Sequence, residues 1–276
     1  MKKWGLVVLS LLLTGCGTKF VYNNLNWLLI EYLDDFVELT TEQEVLISDK
    51  LDSVTEWHKQ QELPRYIQHL NQLIALDPKK VTLADIQRQE TELKAHTQRL
   101  LRHIASDIST LAKQLSDQQV EELMDSIRVR HTRYKRKYQK LSESEIRENY
   151  QERLTDNIQD WLGPLTSEQK QWMADWTSEL YVTSYDWIDH QTKMRIEINQ
   201  LLSNRLDDSY FDPHFEQLMF NPTSFYSEEL QQKIAHNRAT AHQYLVKIIN
   251  SISDKQTAHY REELRDWRDI ALEIQK

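Results

Sequence analysis

The chain contains very little glycine. Only four of its 276 residues are glycine, and two of these, Gly5 and Gly15, fall within the first fifteen residues. Phosphate-binding loops and dinucleotide-binding turns need glycine where φ is positive or where the backbone approaches a ligand closely. The scarcity therefore argues against such sites, and against the glycine elbow of the common hydrolases. With few prolines and abundant Gln, Glu, Leu and Lys, the composition predicts an all-α fold.

Cysteine is rarer still, because Cys16 is the only one. The folded body can hold neither a disulfide nor a cysteine metal site. Ten histidines are scattered along the chain, and no HExxH or paired Glu-x-x-His motif appears, whereas a catalytic zinc needs three protein ligands. We expect no metal, no cofactor and no catalytic residues.

Positive charge is also in deficit. Lys and Arg total 34 against 43 Asp and Glu, which gives a net charge of −9. Nucleic-acid binding needs a positive surface that faces phosphate. A nucleic-acid partner is therefore not expected.

The N-terminus carries an export signal. Lys2 and Lys3 precede the apolar run 4–13, which ends in Leu-Thr-Gly-Cys. This run is shorter than the roughly 20 residues of a membrane-spanning helix. It resembles bacterial lipoprotein signals, and the resemblance implies cleavage after residue 15, acylation of Cys16 and a short lipid-anchored tether over 16–19. Gly17 favours the outer membrane by the same analogy. An ordinary secreted protein with a stray thiol is the alternative.

The remaining pattern predicts long helices. We expect helices over 20–37, from Thr41 to about 61, between Pro64 and Asp77, over 82–115, over 116–140, from 142, from 166 to about 205, over 227–250 and from 254 to the end, with a structured connector at 207–226. In the fourth of these, apolar residues recur at the spacing of a coiled-coil seam: Ile86, Leu93, Leu100, Ile104, Ile108, Leu111 and Leu115. The predicted architecture is an elongated bundle or cradle of long antiparallel helices.

A short phrase recurs four times, as LTTEQ from 39, LSDQQ from 115, LTSEQ from 165 and ISDKQ from 252. A hydroxyl residue at the N-cap with glutamine at N3 forms a capping box, which contributes about 1 kcal/mol to a helix. The simplest interpretation is that long helices need caps. The motif residues are Leu39, Thr40, Gln43, Leu115, Ser116, Gln119, Leu165, Thr166, Gln169, Ile252, Ser253 and Gln256.

These phrases also resemble the LTxxQ motif of the periplasmic Spy and CpxP family. That resemblance implies a thin helical cradle that binds unfolded clients or an envelope protein partner. The family carries two motifs per chain, so four motifs suggest two tandem units, 20–162 and 163–276, that meet at Gly163-Pro164, although one continuous domain is also possible. The chain further resembles uncharacterised proteobacterial lipoproteins with a domain of unknown function, through WLLIEYLDDFVELTTEQ and WHKQQELPRY.

One segment, 128–140, is strongly basic and contains no acid. A solvated helix is the simpler interpretation, and contact with lipid headgroups, lipopolysaccharide phosphates or an acidic client is the alternative. The candidate contacts are Arg128, Arg130, Arg133, Lys135, Arg136 and Lys137.

Taken together, the sequence predicts a non-catalytic, lipid-anchored envelope protein that faces the periplasm and binds unfolded or partner proteins in the manner of the LTxxQ chaperones. The alternative is a structural or assembly lipoprotein that contacts one specific envelope partner. In that case the four phrases serve only as caps.

Overall fold

The computed structural model describes residues 15–276, and every regular element in this part of the chain is helical. The predicted all-α class is confirmed. The helices are α1 (Gly15–Asn23), α2 (Leu25–Asp34), α3 (Thr41–Trp57), α4 (Leu63–Ala75), α5 (Leu83–Gln114), α6 (Asp117–Tyr138), α7 (Glu143–Leu162), α8 (Ser167–Glu179), α9 (Ser184–Ser203), α10 (Asp208–Phe220), α11 (Glu228–Asn250) and α12 (Asp254–Gln275), with a π-helical turn at His58–Glu62 and 3₁₀ turns at Pro78–Lys80 and Pro222–Phe225.

The described chain divides into two compact units. The first comprises residues 15–76 and 260–276, and the second comprises 77–259. This division differs from the one drawn from the sequence at Gly163-Pro164. That dipeptide lies inside the second unit, in the turn between α7 and α8, which pack against each other.

The first unit is built around the end of the chain. Leu63 at the start of α4 packs with Ala271 and Ile274 of α12, and Tyr22 and Tyr66 lie against this small core. The turn predicted at Pro64 is wrong, because the chain passes from α3 through the π-helical turn directly into α4. Pro64 is tolerated in the first turn of α4, where its missing N–H is not needed by the helix.

The core of the second unit holds α6, α7 and α9 together. Tyr138, Ile146, Val182 and Ile188 are all buried in one cluster, with Tyr134 and three other partly buried side chains packed around it. Elsewhere in this unit α8 packs on α7 and α11, and α5 packs on α10 and α11.

The long helix predicted from Thr166 to about 205 is interrupted. Residues 180–183 are non-helical between α8 and α9, and Asn237 of α11 stabilises the break. The backbone N–H of Tyr181 donates to Asn237 Oδ1 at 2.8 Å, and Asn237 Nδ2 donates to the Tyr181 carbonyl at 2.9 Å. The amide thus replaces backbone hydrogen bonds that a continuous helix would have made.

A second asparagine of α11 does the same at another break. Asn250 Nδ2 donates to the Val81 carbonyl at 2.8 Å and Asn250 Oδ1 accepts from the Val81 N–H at 3.0 Å. Val81 is buried and lies between a 3₁₀ turn and the start of α5. Both irregular segments are therefore held by side-chain amides of one helix.

Two further predictions need adjustment. The helix predicted over 20–37 is two helices, α1 and α2, because the chain breaks at Asn24. The connector predicted at 207–226 is structured, and most of it is α10, which carries Pro213 inside the helix and buries Phe211 completely.

Candidate functional site

All four recurring phrases begin helices, and all four make the two reciprocal bonds of a capping box. In each, the hydroxyl oxygen accepts from the glutamine N–H at 3.1–3.3 Å, and the glutamine Oε1 accepts from the N-cap N–H at 2.9–3.1 Å. The helices that begin in this way are α3, α6, α8 and α12. The local geometry is that of the predicted helix caps.

The four glutamines share a property that the sequence did not reveal, because each is buried. Gln43, Gln119, Gln169 and Gln256 are between 0% and 7% exposed. Two other capping boxes in the chain carry an acid at N3, namely Asp85 of α5 and Glu145 of α7, and neither of these acids is buried. An ionised carboxylate is costly to bury, whereas a neutral amide needs only hydrogen-bond partners. Glutamine therefore occupies the caps that face the interior.

The third and fourth phrases meet in space. Gln169 Nε2 donates to Gln256 Oε1 at 3.2 Å, and Gln256 Nε2 donates back to Gln169 Oε1 at 2.9 Å, between residues 87 positions apart in sequence. The second amide proton of Gln169 is directed to Ser251 Oγ at 3.1 Å, and that of Gln256 to the Pro164 carbonyl at 3.1 Å. Since each Oε1 also accepts its own N-cap N–H, both amides use their full hydrogen-bonding capacity.

The turn before the third phrase needs its glycine. Gly163 has φ +72 and ψ −161, a region that is open essentially only to glycine. An added Cβ would also lie 3.4 Å from the His259 ring of α12. One of only two glycines after Cys16 thus sits beside the paired glutamines, where α7 turns into α8.

The second phrase is supported differently. Arg205, whose side chain is 8% exposed, donates through Nε to the Leu115 carbonyl at 2.7 Å and through Nη2 to Asp117 Oδ1 at 2.6 Å. A third bond, from Nη1 to the Leu202 carbonyl at 3.0 Å, fixes the guanidinium against the end of α9. This buried cation satisfies a carbonyl at the end of α5 and pairs with the first acidic residue of α6.

The apolar seam predicted on α5 is partly exposed to solvent. None of its seven members is buried, and Leu93 and Ile108 are 60% and 36% exposed. At 3.6 residues per turn the members from Ile86 to Leu111 fall within a sector of about 80°. Leu83, which is 45% exposed, lies beside the same sector. We call Ile86, Leu93, Leu100, Ile104, Ile108 and Leu111 the apolar face of α5.

Charged groups border this face. Glu90 accepts from Lys94 Nζ at 2.7 Å on α5, and it contacts Arg238 Nε at 3.3 Å and His242 Nε2 at 3.0 Å on α11. The hydrogen bond from Lys94 is the largest cause that lowers the pKa of Glu90. The apolar face therefore runs alongside a network that fastens α5 to α11.

The six candidate basic residues lie on α6. Arg128, Arg133, Lys135, Arg136 and Lys137 are exposed, and Arg130 is partly buried. Arg128 forms an ion pair with Asp125 at 3.0 Å. Three of the six lie in the last turn of α6, where cations interact favourably with the helix dipole.

The structure also reveals a cluster that sequence reasoning missed, at the π-helical turn. His58 Nδ1 lies 3.1 Å from Tyr22 Oη, and Glu62 is 1% exposed with Arg65 Nε at 3.7 Å. Burial lowers the pKa of His58, and burial is also the main cause that raises the pKa of Tyr22 to about 12. Only the WHKQQELPRY stretch, noted for its resemblance, pointed to this region.

The side chain of Cys16 lies outside the described residues, as does the apolar run before it. Within residues 15–276, no helix is both long enough and apolar enough to cross a membrane. The same residues contain no group of three or more His, Cys, Asp or Glu side chains placed to hold a metal ion.

The chain matches a known protein family. The model of a family of unknown function, DUF6279, matches residues 35–231. The chain belongs to this family. The DUF6279 match begins just before the first recurring phrase and ends early in α11, so it contains three of the four phrases and the whole of α5 and α6. No curated protein matches the chain, and no solved structure does.

Proposed function

We propose that the protein is a lipid-anchored envelope protein that holds unfolded polypeptide segments on the apolar face of α5 and does not act as a catalyst. The exposure of that face carries the proposal. Leu93 is 60% exposed in the middle of a regular apolar repeat, and a repeat of this kind normally packs against another helix. A partly exposed apolar repeat bordered by charge is the kind of surface that marks a protein-binding site.

The dimensions of the face suit an extended client. From Ile86 to Leu111 a helix rises by about 38 Å at 1.5 Å per residue. An extended chain covers that length with roughly 11 residues at about 3.3 Å each. Aliphatic side chains provide non-directional contacts, which tolerate varied client sequences.

The recurring phrases play a structural part in this proposal. Their glutamines are buried and already bonded within the caps, so they are not available to touch a client. The resemblance to the LTxxQ chaperones then supports the proposal through the helical framework that the phrases build. Anchoring through an acylated Cys16, at the outer membrane and facing the periplasm, rests on the sequence of the signal alone.

Aggregation of a denatured test protein tests the client-binding proposal. The chain from residue 17 onward should slow aggregation at several-fold molar excess, and Leu93→Ser with Ile108→Ser should remove most of that effect because it replaces the two most exposed members of the face. Leu206→Ser is the matched control, since Leu206 is 79% exposed but lies in the turn between α9 and α10. Equal protection by the double variant and the wild-type chain would refute the proposal.

A second candidate is a structural or assembly lipoprotein that meets one defined envelope partner. The caps favour it, because all four phrases are accounted for by helix starts and need no client. A photo-crosslinking residue at position 93 in cells separates the two candidates. One dominant adduct supports a defined partner, whereas a broad distribution of adducts supports client binding.

Anchoring has its own test. Labelling cells with a fatty-acid analogue should mark the wild-type chain and leave Cys16→Ser unlabelled. A wild-type protein that takes up no label in its native host would remove the lipid anchor from the proposal.

A further inference from the structure

The C-terminal end of α6 concentrates positive charge in an acidic protein. Arg133, Arg136, Lys137 and Lys140 are all exposed, and none forms an ion pair with any residue in the described part of the chain. Acids outnumber bases by 43 to 34 in the whole sequence, so carboxylates that could neutralise them are not scarce. We call these four residues the basic face of α6.

Their spacing places Arg133, Arg136 and Lys137 on one side of the helix, and Lys140 follows in the turn after its end. Positions 133, 136, 137 and 140 follow the i, i+3, i+4, i+7 pattern, and like charges at these separations destabilise a helix. The helix dipole accounts for cations in the last turn, which includes Arg136 and Lys137. It does not account for Arg133, more than a turn from the helix end, or for Lys140, which lies in the turn that follows.

The basic face stands on a rigid support. Tyr138 is buried with Ile146 of α7 and Ile188 of α9, and its ring lies 4.6 Å from that of Tyr134. Lys137 Nζ lies 5.2 Å from the centre of the Tyr138 ring. Packing therefore fixes the end of α6, while the charged groups remain in solvent.

We propose that the basic face of α6 binds the phosphate groups of an anionic lipid bilayer. The four cations are exposed, and three of them are distributed over about 6 Å of helix length with Lys140 beyond, which suits a charged plane better than a single small anion. Val129, one turn before Arg133 on the same side, is 45% exposed and supplies apolar contact. This contact is independent of both the apolar face of α5 and the acylation of Cys16.

The magnitude of the effect can be stated in advance. A cation close to an anionic membrane surface strengthens binding by about fivefold, so loss of three should weaken it by roughly 100-fold. Screening limits such an interaction to about 8 Å at 0.15 M salt and about 3 Å at 1 M. Binding should therefore be largely lost at 1 M salt.

The test uses the chain from residue 17 onward, which has no acyl group and retains every helix except the first two residues of α1. Co-sedimentation is measured with vesicles of phosphatidylcholine alone and with vesicles that contain phosphatidylglycerol. The variant is Arg133→Gln, Arg136→Gln, Lys137→Gln. The control is Lys170→Gln, Lys255→Gln, Arg265→Gln, which removes the same charge from exposed positions that also lack ion pairs in the described chain.

The expected result is binding to the anionic vesicles only, lost in the variant and kept in the control. A charge-preserving variant, Arg133→Lys with Arg136→Lys, should also bind, and far-UV circular dichroism checks that each variant is folded. Equal losses in variant and control, equal binding to both kinds of vesicle, or no binding would each overturn the proposal. Capture by polyglutamate without capture by anionic vesicles would also overturn it, in favour of an acidic protein partner.

Discussion

Replacing Gln169 by glutamate is the sharpest test of the paired caps. The substitution keeps the shape of the side chain and its capping acceptor, but it removes two donors. One of these bonds goes to Gln256 Oε1 at 3.2 Å and the other to Ser251 Oγ at 3.1 Å. The new carboxylate would be placed at a site that is 0% exposed. The variant therefore changes both hydrogen bonding and charge at one buried point.

The two effects can be estimated separately. Each lost hydrogen bond costs about 0.5–1.5 kcal/mol net, so together they lower the free energy of unfolding by roughly 2 kcal/mol. Burial can raise the pKa of a glutamate by about three units, at 1.36 kcal/mol per unit, which adds about 4 kcal/mol when the group is ionised. We expect the free energy of unfolding to fall by about 6 kcal/mol at pH 8.

The charge effect has a definite pH dependence. Because the folded-state pKa of the new glutamate is raised above its unfolded value near 4.3, the penalty is absent below about pH 4 and grows as the pH rises toward the folded-state pKa. Urea unfolding followed by circular dichroism, in steps from pH 4 to pH 8, measures the difference between variant and wild type. That difference should widen as the pH rises.

A matched control exists at the exposed capping box of α7. Glu145→Gln makes the reverse exchange at the same N3 position, where the side chain is exposed, and we expect a far smaller change in the free energy of unfolding at pH 7 than in the Gln169 variant. Two results would refute this reasoning: a loss of stability in Gln169→Glu that does not depend on pH, or equal losses in Gln169→Glu and Glu145→Gln. Either would show that burial of the amide pair does not explain why glutamine occupies this cap.

Three further predictions concern the second unit. The hydrogen bond from the Ser142 N–H lowers the pKa of Glu145. The ionised carboxylate therefore stabilises the fold above the unfolded-state pKa of about 4.3, and this stabilisation is lost as the pH falls through the folded-state pKa. In urea unfolding, the wild type should lose more stability than Glu145→Gln between pH 5 and pH 2. Asn250→Ala leaves the N–H and the carbonyl of Val81 unsatisfied and should lower the free energy of unfolding by about 2 kcal/mol. The control Asn204→Ala, at an exposed helix end, should lower it by less than about 0.5 kcal/mol. Equal losses in the two variants would contradict the hydrogen bonds of Asn250 to Val81. Gly163→Ala forces an alanine into a glycine conformation and should cost about 1–3 kcal/mol, and an unchanged thermal midpoint would show that the turn can relax.

The sequence predicted the helix starts well, because a capping box is complete within four residues. Thr82 with Asp85 and Ser142 with Glu145 were as readable as the LTxxQ phrases, and all of them begin helices where expected. The all-α class was predicted from composition, which likewise requires no knowledge of contacts between distant residues. An elongated outline, predicted from the length of α5, stays a prediction.

Features that depend on distant residues were not predicted. The break after α8 rests on Asn237, which is 56 positions from Tyr181, and the pairing of Gln169 with Gln256 spans 87 positions. No local pattern specifies which residue will be the partner in such contacts. The π-helical turn was not predicted either. A proline normally marks a helix boundary, but here the turn before Pro64 is a wider, π-helical one and the helix continues through it.

The apolar seam of α5 was found by its spacing, but its exposure was not. Periodicity shows which residues share a side of a helix and not whether another helix covers that side. The interpretation of the basic segment stays a prediction, because the seven charges from Arg128 to Lys140 span much of the helix circumference. The ion pair of Arg128 with Asp125 and the i, i+3, i+4, i+7 spacing together separate the four that form the basic face.

The two asparagines of α11, Asn237 and Asn250, fix the distance between the two irregular segments that they bind. Asn250 lies thirteen positions after Asn237, which places their amides about 20 Å apart along the axis and roughly 140° apart around it. One inserted or deleted residue between them would rotate one amide by about 100° and shift it by 1.5 Å, so both chain breaks could not be held at once. Length changes between positions 237 and 250 should therefore be rejected, because they would release one of the two breaks.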